Sequence, residues 1–138
     1  MQAQALLYKP YKWGGNSPID GLDCSGLVCE LMKSCGEIPF KADMSAQQLF
    51  DHFAQGRGEQ NRVGLGSLVW FGESVTKITH VAMMLDAYRM IEAGGGGSDV
   101  LTVQDAIRKN AMVRIRLVDS RSDKVAVIKP YYRRIGMI

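Results

Sequence analysis

The chain has 138 residues, of which 46% are apolar and 22% charged, the balance of an ordinary globular domain built around one core. Seventeen Lys and Arg stand against fourteen Asp and Glu. The resulting charge of +3 is too mild, and apart from Arg133-Arg134 too dispersed, to suggest a nucleic-acid partner.

At the N-terminus, Met1-Gln2-Ala3-Gln4-Ala5-Leu6-Leu7 lacks both a basic region and a long apolar region. No signal peptide, transmembrane segment or membrane partner is expected, and the chain as written is expected to be cytoplasmic as synthesised. Ala3 to Tyr8 suits a short helix stopping before Pro10, because the residue preceding a proline avoids the α region. A loop rich in Gly, Asn, Ser, Pro and Asp then runs to Cys24. From Cys24, the residues Leu27, Val28, Leu31, Met32 and Cys35 recur at helical spacing, with Glu30, Lys33 and Ser34 opposite and Gly36 as a left-handed cap. A second helix is expected over about Ser45 to Ala54, opened by Asp43 or Ser45 and turning Leu49, Phe50 and Phe53 inward.

The polar segment Gln55 to Asn61 reads as a loop. After Gly64 and Gly66 the pattern becomes β-type: Ser67 to Phe71, Ile78 to Leu85, and Tyr88 to Ala93, as consecutive antiparallel strands. A helical turn is expected near Val103 to Asn110, and strands Met112 to Val118 and Lys124 to Ile128, joined around a turn at Asp119 to Asp123, complete the sheet. Alternation in Val113-Arg114-Ile115-Arg116-Leu117 predicts one buried and one wet face.

Cys24 sits where a loop gives way to a helix. Unpaired backbone N–H groups and the helix dipole at that position favour a thiolate and can hold the oxyanion formed when it attacks a carbonyl. The bland alternative is a small buried hydrophobe. Cys29 and Cys35, six residues apart on one helix, are about 9 Å apart, too far for a disulfide, and read as packing residues. His80 begins an apolar strand, where a lone histidine needs a partner, and Cys24 is the obvious one. His52 reads as a surface residue. Two histidines and three cysteines fall at no ligand spacing, so neither a metal nor a cofactor is expected. Gly94-Gly95-Gly96-Gly97 lacks the fingerprint of a phosphate cradle and reads as a loop that could gate substrate.

The run Tyr11-Lys12-Trp13-Gly14-Gly15 followed by Asp20-Gly21-Leu22-Asp23-Cys24-Ser25-Gly26-Leu27-Val28 resembles the signature of the NlpC/P60 cysteine peptidases. Thr79-His80-Val81-Ala82-Met83 resembles that family's histidine strand. The resemblance implies a papain-like α+β fold, with N-terminal helices on an antiparallel sheet of about five to six strands. Residues 1–138 would then be one catalytic domain. It implies Cys24 as nucleophile, His80 as base, and Glu92, on the next strand, as the third residue, accepting the His80 Nδ1–H bond so that Nε2 faces sulfur. The family more often carries His, Asn or Gln there, so Glu92 is alternatively a substrate contact. Tyr11, Asp23 and Ser25 match substrate-binding positions, the last two for a free amine, and Asp23 also suits an N-cap.

The implied activity is hydrolysis of peptidoglycan stem peptides, typically after γ-D-glutamate. An amidase or acyltransferase using the same dyad, or a non-catalytic module of a phage tail, are the competing readings. Without a leader, delivery by phage or secretion machinery, or excision from a longer exported protein, is the corresponding expectation.

Overall fold

The computed structural model describes residues 16–17, 21–39, 41–94 and 112–132. The expected helix at Ala3–Tyr8 and the expected helical turn near Val103–Asn110, together with Tyr11, Trp13 and Gly95–Gly97, lie outside the described residues.

Helix α1 (Cys24–Ser34) starts because Asp23, in an extended conformation, turns its carboxylate back to accept the Gly26 N–H at 2.6 Å. It stops in a Schellman motif. Gly36 takes φ 73°, its N–H reaches the Lys33 carbonyl at 3.0 Å, and the Glu37 N–H reaches that of Met32 at 2.9 Å. Helix α2 (Ala46–Phe53) opens with a full capping box, in which the Ser45 hydroxyl accepts from the Gln48 N–H and the Gln48 side chain accepts from the Ser45 N–H. Phe50 meets Trp70 edge-on with ring centroids 5.4 Å apart, and the buried Trp70 Nε1–H donates to the Ala46 carbonyl at 3.0 Å. Those two contacts pin α2 to the sheet.

A two-residue hairpin, β1 (Asn16–Ser17) with β2 (Gly21–Leu22), precedes α1. The main sheet comprises β3 (Gly58–Gln60), β4 (Leu68–Ser74), β5 (Lys77–Met84), β6 (Arg89–Gly94), β7 (Met112–Leu117) and β8 (Lys124–Pro130). Its order is β3-β8-β4-β5-β6-β7, with every neighbouring pair antiparallel. This is an α+β fold. Both helices cover one face, where Leu27, Val28, Leu31, Met32, Leu49 and Phe53 meet Leu68, Trp70, Val81, Met83 and Ile91. The other face carries a smaller cluster of Val69, Phe71, Ala82, Met84, Met90, Val118 and Val127, with Val118 supplied by a 3-10 turn at Val118–Ser120. Burial on both faces explains why β4 and β5 read as unbroken apolar runs rather than as alternating strands.

Three sequence expectations change. The expected loop at Gln55–Asn61 contains β3, whose pairing with β8 makes an edge strand out of polar residues. The expected break at Gly72–Lys77 shrinks to a tight turn, because β4 runs on to Ser74 and β5 begins at Lys77, around register shifts at Gly72. A Cβ at Gly72 would strike the Lys77 carbonyl and the Ile78 Cα, so only glycine fits this irregularity. The last strand does not extend the meander. β8 returns to lie between β3 and β4, which places β7 last in the order of the described strands, beside β6.

The capping box at Ser45 makes a quantitative prediction. Ser45→Ala should lower the unfolding free energy by about 1 kcal/mol in urea, with an unchanged m-value. An unshifted midpoint would show that the cap contributes nothing.

Candidate active site

Strand pairing explains how the site is opened. The Met84 N–H donates to the Ser67 carbonyl at 2.7 Å, on the β4 side. Amides alternate along a strand, so those of Val81 and Met83 face β6. β5 and β6 pair only at Met83↔Ile91 and Met84↔Met90, whereas β6 and β7 pair from Arg89↔Leu117 to Gly94↔Met112. Beyond Met83 the two strands therefore part. The Val81 N–H, without a β6 carbonyl in register, donates instead to the Cys24 sulfur. This puts the thiol of α1 against the backbone one residue from His80.

Cys24 is the first residue of α1 and half-buried, with its side chain packed against the helix-side core. Of the first amides of the helix, Gly26 N–H is bound by Asp23 Oδ1 and Leu27 N–H by the Asp23 carbonyl. Those of Ser25 and of Cys24 itself turn to the sulfur. They favour a thiolate, as the sequence suggests, but the larger effect is opposite. Burial pushes the Cys24 thiol up to about 11, helped by the neighbouring Asp23 charge and only partly opposed by the amides of Val81, Ser25 and Cys24. At neutral pH the resting sulfur carries its proton. Cys29 is buried and donates its thiol to the Met44 carbonyl at 3.3 Å, a packing role as expected.

His80 is 7% exposed and Glu92 1% exposed. Nε2 of His80 lies 2.8 Å from Glu92 Oε1. The ring is therefore turned opposite to the sequence expectation, with Nε2 rather than Nδ1 on the carboxylate. The cause is the parting of β5 and β6. Continuing the register places Glu92 opposite Ala82, two residues along from His80. The ring must reach diagonally, and only its outer nitrogen spans the distance; the inner nitrogen stays close to its own backbone.

The second Glu92 oxygen is occupied as well. Arg114 Nε binds Oε2 at 3.1 Å and Arg116 Nη1 binds it at 3.3 Å. Burial alone would raise the Glu92 carboxyl, but the hydrogen bond and charge of His80, followed by those of Arg114, outweigh it and hold the group down at about 2. On its other side His80 leans against Phe71, with ring centroids 5.6 Å apart and 44° between planes. The Arg121 guanidinium lies 4.7 Å over the Phe71 ring and is gripped by Asp123 at 2.9 and 2.7 Å.

Of the residues singled out from sequence, Cys24, His80 and Glu92 come to one place, and Asp23 and Ser25 flank it. The Ser25 hydroxyl donates to Asp23 Oδ1 at 3.3 Å, and Asp23 is the N-cap. Tyr11 lies outside the described residues. His52 is half-exposed on α2 and packs edge-on against Phe53, with centroids 4.8 Å apart. Among the described residues no group of His, Cys, Asp and Glu is arranged to hold a metal. Arg114, Arg116, Arg121 and Phe71 were not anticipated. A signal existed for the first two, since arginines at alternate positions of a strand share one face, but not for which face they shared with a carboxylate.

The sequence model described as the NlpC/P60 family matches residues 8–117, and the chain belongs to that family. Over 98 residues, 68% of this chain, it is 34% identical to the bifunctional muramidase/DL-endopeptidase CwlT of Bacillus subtilis (strain 168), and the match covers 28% of that protein. Over 93 residues, 67% of this chain, it is 29% identical to the murein DD-endopeptidase MepH of Escherichia coli (strain K12), covering 34% of it. The chain thus spans about a third of the length of these curated relatives. The structure of the peptidoglycan hydrolase RipB from Mycobacterium tuberculosis shares the fold, with a TM-score of 0.67 at 20% identity, over 96% of this chain and 62% of that one.

The depressed Glu92 carboxyl has a consequence for stability. A carboxyl held at about 2 in the fold, against 4.5 for the unperturbed group, stabilises the protein above about pH 4.5, and the contribution is lost as pH falls toward 2. It amounts to on the order of 3 kcal/mol. Urea unfolding between pH 5 and 2 should therefore be less steeply pH-dependent in Glu92→Gln than in the parent protein. Equal slopes would mean that Glu92 is not held ionised.

Proposed function

We propose that this chain hydrolyses the peptide stems of peptidoglycan through an acyl-thioester at Cys24, with His80 as base and Glu92 as the residue that orients it. The observation that carries the reading is the joint placement of the Cys24 sulfur on the Val81 N–H and of the His80 ring on Glu92. An ionised carboxylate is a pure acceptor, so the hydrogen between the two groups belongs to His80 Nε2, and in the neutral ring Nδ1 is the nitrogen left to accept a proton. Nδ1 is then the atom assigned to take the Cys24 proton during attack.

The chemistry follows from that arrangement. As the Cys24 sulfur attacks the scissile carbonyl carbon, its proton passes to His80 Nδ1, and the imidazolium so formed is held by Glu92. The carbonyl oxygen becomes an oxyanion within reach of the Cys24 and Ser25 amides at the start of α1. Collapse breaks the C–N bond, His80 returns the proton to the departing amine, and the acyl group remains on sulfur. Water then attacks the thioester, giving one proton to His80, and the carboxylic acid leaves as Cys24 recovers that proton. Because the resting thiol is protonated, proton transfer accompanies attack rather than preceding it.

The names of the relatives support peptidoglycan as the substrate and divide over the bond. CwlT is named a DL-endopeptidase and MepH a DD-endopeptidase. For this chain the proposed bond joins γ-D-glutamate to the diamino acid. Asp23 and Ser25, beside the nucleophile, would attract the free amine of a short stem, with Tyr11 as a further substrate contact.

Mass spectrometry of muropeptides incubated with the protein tests the reading and names the bond. Fragments ending in γ-D-glutamate should form, vanish in Cys24→Ala, and fall roughly a thousandfold in rate in His80→Ala. Opened D,D-crosslinks with intact stems would move the assignment to the other bond. Intact muropeptides, with Cys24 alkylating faster than Cys29 and Cys35, would overturn the peptidase reading in favour of an acyltransferase or amidase.

A further inference from the structure

We propose that Arg114 and Arg116 are positioning residues of this site, a two-guanidinium clamp on Glu92 Oε2 that leaves Oε1 as the hydrogen-bond partner of His80 and fixes the orientation of the ring. The proposal rests on the peptidase reading above and adds to it the residues that set the base.

Register explains how the clamp arises. Glu92 lies directly opposite Arg114, and Met90 opposite Arg116, so both arginines share the sheet face on which Glu92 and His80 meet. Their guanidinium contacts at 3.1 and 3.3 Å converge on one oxygen, while the other lies 2.8 Å from His80. The arginine side chains are 25% and 35% exposed, whereas that of Glu92 is 1% exposed. The charged heads thus reach inward to a buried acceptor rather than outward to water. Gly94 supplies an independent sign of the same arrangement. A Cβ there would stand 2.8 Å from Glu92 Oε2 and 2.9 Å from Arg114 Nη2, so the absence of a side chain makes room for the pair.

The electrostatic purpose follows from what a buried carboxylate does by itself. Paired only with imidazole, it would hold imidazolium fast, and a base that cannot release its proton cannot protonate the leaving amine. Two guanidiniums on the far oxygen share the negative charge and weaken that hold. Among the described residues, the charged groups around His80 and Glu92 are Arg114 and Arg116 from β7, Arg121 and Asp123 from the segment between β7 and β8, and Cys24 with Asp23 from the start of α1. Of these, the two β7 arginines are the ones that touch the orienting carboxylate.

The test compares Arg114→Gln/Arg116→Gln with the parent protein in stem-peptide hydrolysis and in the rate of Cys24 alkylation, each across pH. Without the clamp, kcat should fall by up to about a hundredfold with KM nearly unchanged, as expected when the base is misplaced while the substrate is still held. The acid limb of both profiles should also move to higher pH, because Glu92, no longer sharing its charge with the guanidiniums, then holds the imidazolium more tightly. Gly94→Ala, which presses a methyl group on the same pair, should move the limb in the same direction, and it decides the question if the double variant does not fold. In Glu92→Gln the arginines are left facing His80 uncompensated, so Glu92→Gln/Arg114→Gln/Arg116→Gln should be faster than Glu92→Gln. A triple variant slower than Glu92→Gln, a pure rise in KM, or unmoved acid limbs would overturn the proposal. Parent protein that cleaves no stem peptide would instead defeat the peptidase reading, and the alkylation profiles would still decide the clamp.

Discussion

Strands β5 and β6 stay hydrogen-bonded only as far as Met83 and Ile91, and the gap that opens beyond them governs the rest of the site. A backbone amide at a parting of strands must find another acceptor, since leaving it unpaired in the interior costs about 1–3 kcal/mol. Val81 finds the sulfur of Cys24. The same gap sets His80 and Glu92 on a diagonal, which decides which ring nitrogen meets the carboxylate. Helix α1 delivers the thiol to this opening because its packing face and its Asp23 cap fix both its direction and its first residue.

Glu92 imposes the second constraint. A carboxylate this deeply buried is tolerated only if its oxygens are paired, and a single histidine covers one of them. β7 supplies the rest, because its place at the sheet edge beside β6 aligns Arg114 and Arg116 with Glu92. That placement explains a departure from simple amphipathicity. In β7 the arginine positions are half-buried, whereas Ile115 and Leu117 are 40% and 57% exposed, and only Val113 of the apolar residues described there is fully covered.

Much of this is legible in the sequence wherever the information is local. The Asp23-Cys24 start and Gly36 end of α1, the Ser45 opening of α2 and the apolar runs of β4 and β5 are each specified by a few neighbouring residues, and the expected starts of these elements fall within a residue or two of the observed ones. Cys24, His80 and Glu92 stand out by a motif and a spacing. What escapes is set by pairing across the chain. β3 carries no strand-like residues and exists because β8 offers it an edge. The orientation of the His80 ring depends on where β5 and β6 separate, and the arginine clamp on the register of β7. The burial that pushes the Cys24 thiol up escapes for a related reason: a helix N-terminus can be read from sequence, but the packing around it cannot.

The most direct measurement is the tautomeric state of His80, read from the nitrogen-15 shifts of its ring in labelled protein near neutral pH. The hydrogen should reside on Nε2, donated to Glu92, leaving Nδ1 as the acceptor. A ring protonated at Nδ1 with a bare Nε2 would contradict the arrangement, because Glu92 would then be no acceptor for His80 and the proposed base would have no free nitrogen at Nδ1.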